Sequence, residues 1–211
     1  MNSVRNREID RIERETGLAD RLCALPTVVS ARRLSGRWLV VPSPEAIRRI
    51  RREGRAGLVG EWRSTLGRED PGGDVWSIVE VMPRPGSSEE VQWAWPLRQP
   101  WVDHVETDGD DTLRASIRVP LDLDVFRGHF PAIPIVPGAM QIDWVMVQLR
   151  THLKPAARFV GLQGAKFQRL VRPAMSLTLA IRVSGNLLRF EYACADSAVS
   201  AGRIEIGGDL A

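Results

Sequence analysis

The chain has 211 residues, of which 44 % are hydrophobic and 26 % charged, with a net charge of +3; this excludes a disordered or collagenous chain and leaves room for one large domain or two small ones. Two cysteines, Cys23 and Cys194, lie far apart without metal-ligand spacing, so free thiols and no metal site are expected. No apolar run reaches the roughly 18 residues of a membrane span, and the opening MNSVRNREIDRIERETG is charged, which excludes membrane insertion and points to a cytoplasmic protein.

Residues 4–25 carry Val4, Ile9, Ile12, Leu18, Leu22 and Leu25 among arginines and glutamates, an amphipathic helix that Pro26 ends. Thr27 to Arg33 and Arg37 to Val41 read as two strands joined by a Leu34-Ser35-Gly36 turn. Ser43-Pro44-Glu45 starts a basic helix that reaches Leu66, with Gly54, Gly57 and Gly60 as places where it could break. Asp70 to Gly73 is a loop, Val75 to Val81 a third strand, and Pro83, Pro85, Gly86 and two serines a turn or linker. Residues 1–92 therefore form a small α/β domain.

From Trp93 to Trp101 three tryptophans fall close together, either as an apolar junction or as part of a tunnel or subunit face. The domain 93–211 then supplies strands at Trp101 to Glu106 and Thr112 to Val119, with Asp108-Gly109-Asp110-Asp111 between them. Leu121 to Arg127 leads into a proline-rich stretch. Further strands follow at Phe159 to Phe167, Met175 to Val183, Leu187 to Cys194 and Val199 to Ile206, with Ser184-Gly185-Asn186 as a hairpin turn.

The segment Phe126 to Leu149, FRGHFPAIPIVPGAMQIDWVMVQL, is the most informative. Pro131, Pro134 and Pro137 each fix φ and lack an N–H, so His129 to Pro137 forms a stiff extended loop. Pro137 suits a helix start, and Gly138 to Leu149 reads as a helix apolar nearly all round, to be buried by a sheet or a partner. Asp143 lies between Ile142 and Trp144, where an isolated buried charge costs several kcal/mol, so it should be paired, protonated or facing a cavity.

The run G-H-F-P-x-x-P-x-x-P-G-x-x-x-x-D, Gly128 to Asp143, resembles the active-site signature of the β-hydroxyacyl-acyl-carrier-protein dehydratases, and is most similar to those of aryl polyene pigment clusters around the Asp143-Trp144 pair. The resemblance implies an α+β hot-dog fold, an antiparallel sheet wrapped around a central helix. It implies His129 as the base at C2 of a 3-hydroxyacyl thioester, Asp143 as the acid at the departing hydroxyl, and the Gly138 N–H as donor to the thioester carbonyl. Phe130, Pro131, Val136 and Pro137 would orient the base and bind substrate. An acyl carrier protein partner, no cofactor, and a homodimer whose subunits share each site are also implied.

Other readings stand beside these. Asp143 could partner a buried arginine, and Gly138 could serve close packing alone. Lys166, Arg169 and Arg172 could steer the acidic carrier or form a solvated face. No nucleic-acid motif is present. The first domain faintly resembles the C-terminal subdomain of AMP-forming acyl ligases through Val40, Val41, Ser43, Gly54, Arg55 and Leu58, but lacks that family's lysine between Met82 and Glu90, so it is either a degenerate remnant or an unrelated docking domain. The resemblance leads to a (3R)-3-hydroxyacyl carrier dehydratase. A hot-dog thioesterase and a non-catalytic, carrier-binding dehydratase-like subunit are the competing functions.

Overall fold

The computed structural model describes residues 15–34, 36–67, 76–84, 97–195 and 197–208. They cluster into two compact units: the first runs to Leu97 and includes Phe126–Pro134, and the second comprises Arg98–Val125 and the chain from Ile135 on. The loop bearing His129 thus groups with the first unit. The expected helix over residues 4–14, the loop Asp70 to Gly73, the turn at Pro85 to Ser88, and Trp93 and Trp95 lie outside the described residues.

In the first unit, residues 15–23 form the described part of α1. Strands β1 (Val28–Leu34) and β2 (Arg37–Pro42) pair antiparallel, and β3 (Trp76–Ile78) joins β2 in parallel. A parallel neighbour needs a long crossover, supplied here by α2 (Pro44–Glu53) and α3 (Ala56–Leu66). The Ser43 hydroxyl accepts from the Ala46 N–H at 3.3 Å, capping α2. The helix expected over Pro44 to Leu66 breaks at Gly54, one of the three glycines marked as possible break points, whose φ of 78° leaves helical space while its N–H still bonds the Ile50 carbonyl. Of the third strand expected over Val75 to Val81, β3 covers Trp76–Ile78, with the Val79 N–H still bonded to the Val40 carbonyl at 2.9 Å; Val75 lies outside the described residues.

Trp38, Trp62 and Trp76 form the centre of this unit, all fully buried, with ring centroids 6.0 Å (Trp38 to Trp76) and 5.9 Å (Trp62 to Trp76) apart. Each contributes on the order of 5 kcal/mol of apolar transfer free energy, before conformational entropy is counted. The Trp62 indole N–H donates to Thr27 Oγ1 at 3.1 Å.

The second unit is a hot-dog fold. Its strands are β4 (Trp101–Asp108), β5 (Thr112–Arg118), β6 (Arg158–Phe167), β7 (Ser176–Ser184), β8 (Leu187–Cys194) and β9 (Ser197–Gly207). They form one antiparallel sheet in the order β4-β5-β7-β8-β9-β6. Alternation decides which face is covered: Leu177, Leu179, Ile181 and Val183 are buried, whereas Ala180 and Arg182 point to solvent. The long helix α5 (Gly138–His152) follows α4 (Val125–Gly128), a single helical turn, and the proline-rich loop, and buries Trp144, Val145, Met146 and Leu149.

Candidate active site

Helix α5 opens at Pro137, whose φ of −59° and ψ of 150° make it the N-cap without a side-chain cap. The first-turn N–H groups therefore point outward at the positive end of the helix dipole. Gly138 lies under the Phe167 ring: a Cβ there would sit 2.5 Å from the ring tip, so the glycine permits a close approach as well as offering its N–H.

The first turn is anchored from beneath by Gln141. Its Nε2 donates to the Val136 carbonyl at 3.3 Å, its Oε1 accepts from Ser200 Oγ at 2.7 Å, and its backbone carbonyl accepts from Tyr192 Oη at 2.9 Å. Val136 is itself tied by its N–H to the Val171 carbonyl at 2.8 Å. Burial, with the Asp143 charge as a smaller contribution, pushes the Tyr192 phenol far above the ordinary tyrosine range.

A raised folded pKa means stability present below the unfolded pKa and lost as pH rises above about 10, where the unfolded chain ionises first. Tyr192→Phe is expected to cost about 1 kcal/mol at neutral pH through the lost bond to Gln141. The variant's stability should also fall less than that of wild type above about pH 10. Urea unfolding across that range checks both.

Asp143 departs from the sequence expectation. It is exposed, and its Oδ2 accepts from Gln99 Nε2 at 3.0 Å. Trp144 beside it is fully buried, and its indole N–H donates to the Arg98 carbonyl at 2.9 Å. Apolar sequence neighbours do not bury a helical side chain, since successive residues point about 100° apart. Gln99 had no signal in the sequence, because its contact spans 44 positions.

His129, Phe130 and Pro131 lie on the loop grouped with the first unit. The His129 ring packs edge-on against Phe130 with centroids 4.4 Å apart, and its Nδ1 is buried without a hydrogen-bond partner among the described residues. The loop is not simply extended: the Ile133 N–H bonds the Phe130 carbonyl at 2.8 Å, closing a turn that holds Phe130 at φ 53°, a left-handed value costly outside glycine. Phe130 stays 58 % exposed. Among the carrier-steering candidates, Lys166 is exposed on β6, and Arg169 and Arg172 lie on the segment after it.

A 3-hydroxyacyl-[acyl-carrier-protein] dehydratase, FabZ, of Thermotoga neapolitana is 31 % identical over 99 residues, covering 44 % of this chain and 72 % of the relative. The chain belongs to the hot-dog dehydratase family. The ApeI-like dehydratase family model matches residues 105–203, a span that contains His129, Gly138 and Asp143. A second dehydratase of the family, FabZ of Bacillus pumilus, is 26 % identical over 107 residues, 46 % of this chain and 74 % of that one. Among solved structures, the dehydratase heterocomplex ApeI:P from Xenorhabdus doucetiae is similar at 35 % identity, covering 51 % of this chain and 96 % of that chain with a TM-score of 0.48. The dehydratase relatives support a dehydratase role for residues 105–203.

Proposed function

We propose that the chain is a (3R)-3-hydroxyacyl-[acyl-carrier-protein] dehydratase forming trans-2-enoyl thioesters, in fatty acid or aryl polyene type synthesis in the cytoplasm. The observation that carries this reading is the complete Gly128 to Asp143 signature inside the matched dehydratase span, with its acid presented to solvent at the start of α5. His129 takes the C2 proton, and the C2–H electrons form the C2=C3 bond through an enolate whose oxygen the Gly138 N–H holds. The C3–O bond breaks as Asp143 gives its proton to the leaving hydroxyl, so water departs and the elimination balances with protein groups alone. One such N–H donor contributes on the order of 3 kcal/mol. Gln99 bonds one carboxyl oxygen of Asp143 and leaves the other for the substrate.

The enzyme acts as a homodimer in this reading, because the family resemblance assigns the base and acid of one site to different subunits. The sheet edge supports it: β6 exposes Phe159, Val160, Leu162 and Phe167 along an edge strand, whereas the opposite edge β4 carries Asp103, His104, Glu106 and Asp108. An exposed apolar edge is a template for pairing with a second copy. Val160→Lys is expected to leave the monomer folded, shift sedimentation from dimer to monomer, and abolish turnover with it.

The direct test incubates the purified chain with a 3-hydroxyacyl carrier protein and follows the acyl mass. Loss of one water is expected. A bound carrier with unchanged acyl mass would make the chain a dehydratase-like binding subunit instead.

A further inference from the structure

The alternation that buries Leu113, Ile181, Phe190 and Ile204 turns their neighbours to the sheet face away from α5. On that face Arg182 of β7 stands opposite Arg189 of β8, and Arg189 opposite Arg203 of β9. The adjacent row runs Arg114, Ala180, Glu191, Ala201, Lys166 across five strands. These charged side chains line a shallow, open recess of about 780 Å³.

Among the described residues, no ion pair or side-chain hydrogen bond engages Arg114, Lys166, Arg182, Arg189 or Arg203. Like charges directly opposite in a ladder repel, so the row is destabilising when empty. An anion reverses that sign, and the planar guanidinium fork matches a phosphate with two parallel bonds. Neighbouring strands are about 4.8 Å apart, so three guanidinium groups in one row span more than a single phosphate.

We propose that this recess is a binding site for a small molecule carrying two or more linked phosphates, held by Arg182, Arg189 and Arg203 with Arg114 and Lys166 at its margin. Three guanidinium groups in one cross-strand row suit a short string of linked phosphates, each able to take two parallel bonds. The site lies on the sheet face opposite α5, so it is independent of Asp143 and Gly138 and of the dehydration they are proposed to perform.

Calorimetric titration of the full chain with sodium tripolyphosphate and with ADP tests this. Both should bind one per chain, and the thermal midpoint should rise on addition. Arg189→Gln should weaken binding by about tenfold, the loss of one charge-assisted contact. Arg189→Lys, which keeps the charge but not the fork, should fall between. The ligand-free Arg189→Gln chain should unfold no lower than wild type, since a repulsive contact is gone. Tighter binding of ADP than of tripolyphosphate would identify a nucleotide, and equal binding the phosphates alone. The site is refuted if neither probe binds, if Arg189→Gln binds as tightly as wild type, or if polyglutamate binds the face while tripolyphosphate does not.

Discussion

Asp143→Asn and His129→Ala are each expected to lower turnover of a 3-hydroxyacyl carrier substrate by about 10²–10⁴-fold, the usual contribution of one positioned acid or base. Neither change should cost much stability. Asp143 is exposed and its amide replacement still offers an oxygen to Gln99, while His129 Nδ1 makes no hydrogen bond among the described residues. The two variants separate by what they leave behind. Without the acid, His129 still removes and returns the C2 proton, so deuterium from solvent enters C2 of unreacted substrate. Without the base, neither exchange nor water loss proceeds. Mass analysis of substrate recovered from heavy water reads both, and full activity in either variant would remove that residue from the mechanism.

Gly54→Ala is expected to destabilise the first unit by about 2 kcal/mol or more and to lower turnover in molecules that remain folded. Its φ of 78° combined with ψ of −179° is a conformation left to glycine. A Cβ there would overlap the Pro131 carbonyl oxygen and lie 3.0 Å from its carbonyl carbon. Backbone atoms cannot rotate aside as a flexible side chain would, so the loop must move. Pro131 is next but one to His129, and the imidazole moves with it. Gly57→Ala is the control, because among the described residues its Cβ would meet only Arg49 Nη2 at 4.0 Å inside α3, where alanine favours the helix by roughly 0.5–1 kcal/mol. Urea unfolding and the water-loss assay on both variants test the contrast; a stable, fully active Gly54→Ala chain would show that the loop is not seated against α2.

The strands and central helix of the second unit were legible because their signals are local, whereas the hot-dog arrangement came from the resemblance carried by Gly128 to Asp143. Period-two alternation marks β7, Gly185 at φ 57° closes its hairpin to β8, and Pro137-Gly138 marks the start of α5. What escaped depends on distant partners. The extent of β3 is set by β2 across the intervening helices, and Gln99 meets Asp143 only after folding. Asp143 looked buried because its sequence neighbours are apolar, but on a helix a face is shared by residues three and four apart, not by adjacent ones. Arg182, Arg189 and Arg203 are unremarkable one by one, and only the strand register aligns them.

Gln141 has a practical implication for redesign. Its three buried bonds join the opening turn of α5 to Val136, to Ser200 on β9 and to Tyr192 on β8, so rotating that turn about its axis would break them together. Transplanting this helix into a related scaffold, or borrowing a foreign one, therefore succeeds only if the serine and the tyrosine travel with it. Tailoring for longer or shorter acyl chains is better sought in side chains outside this triad.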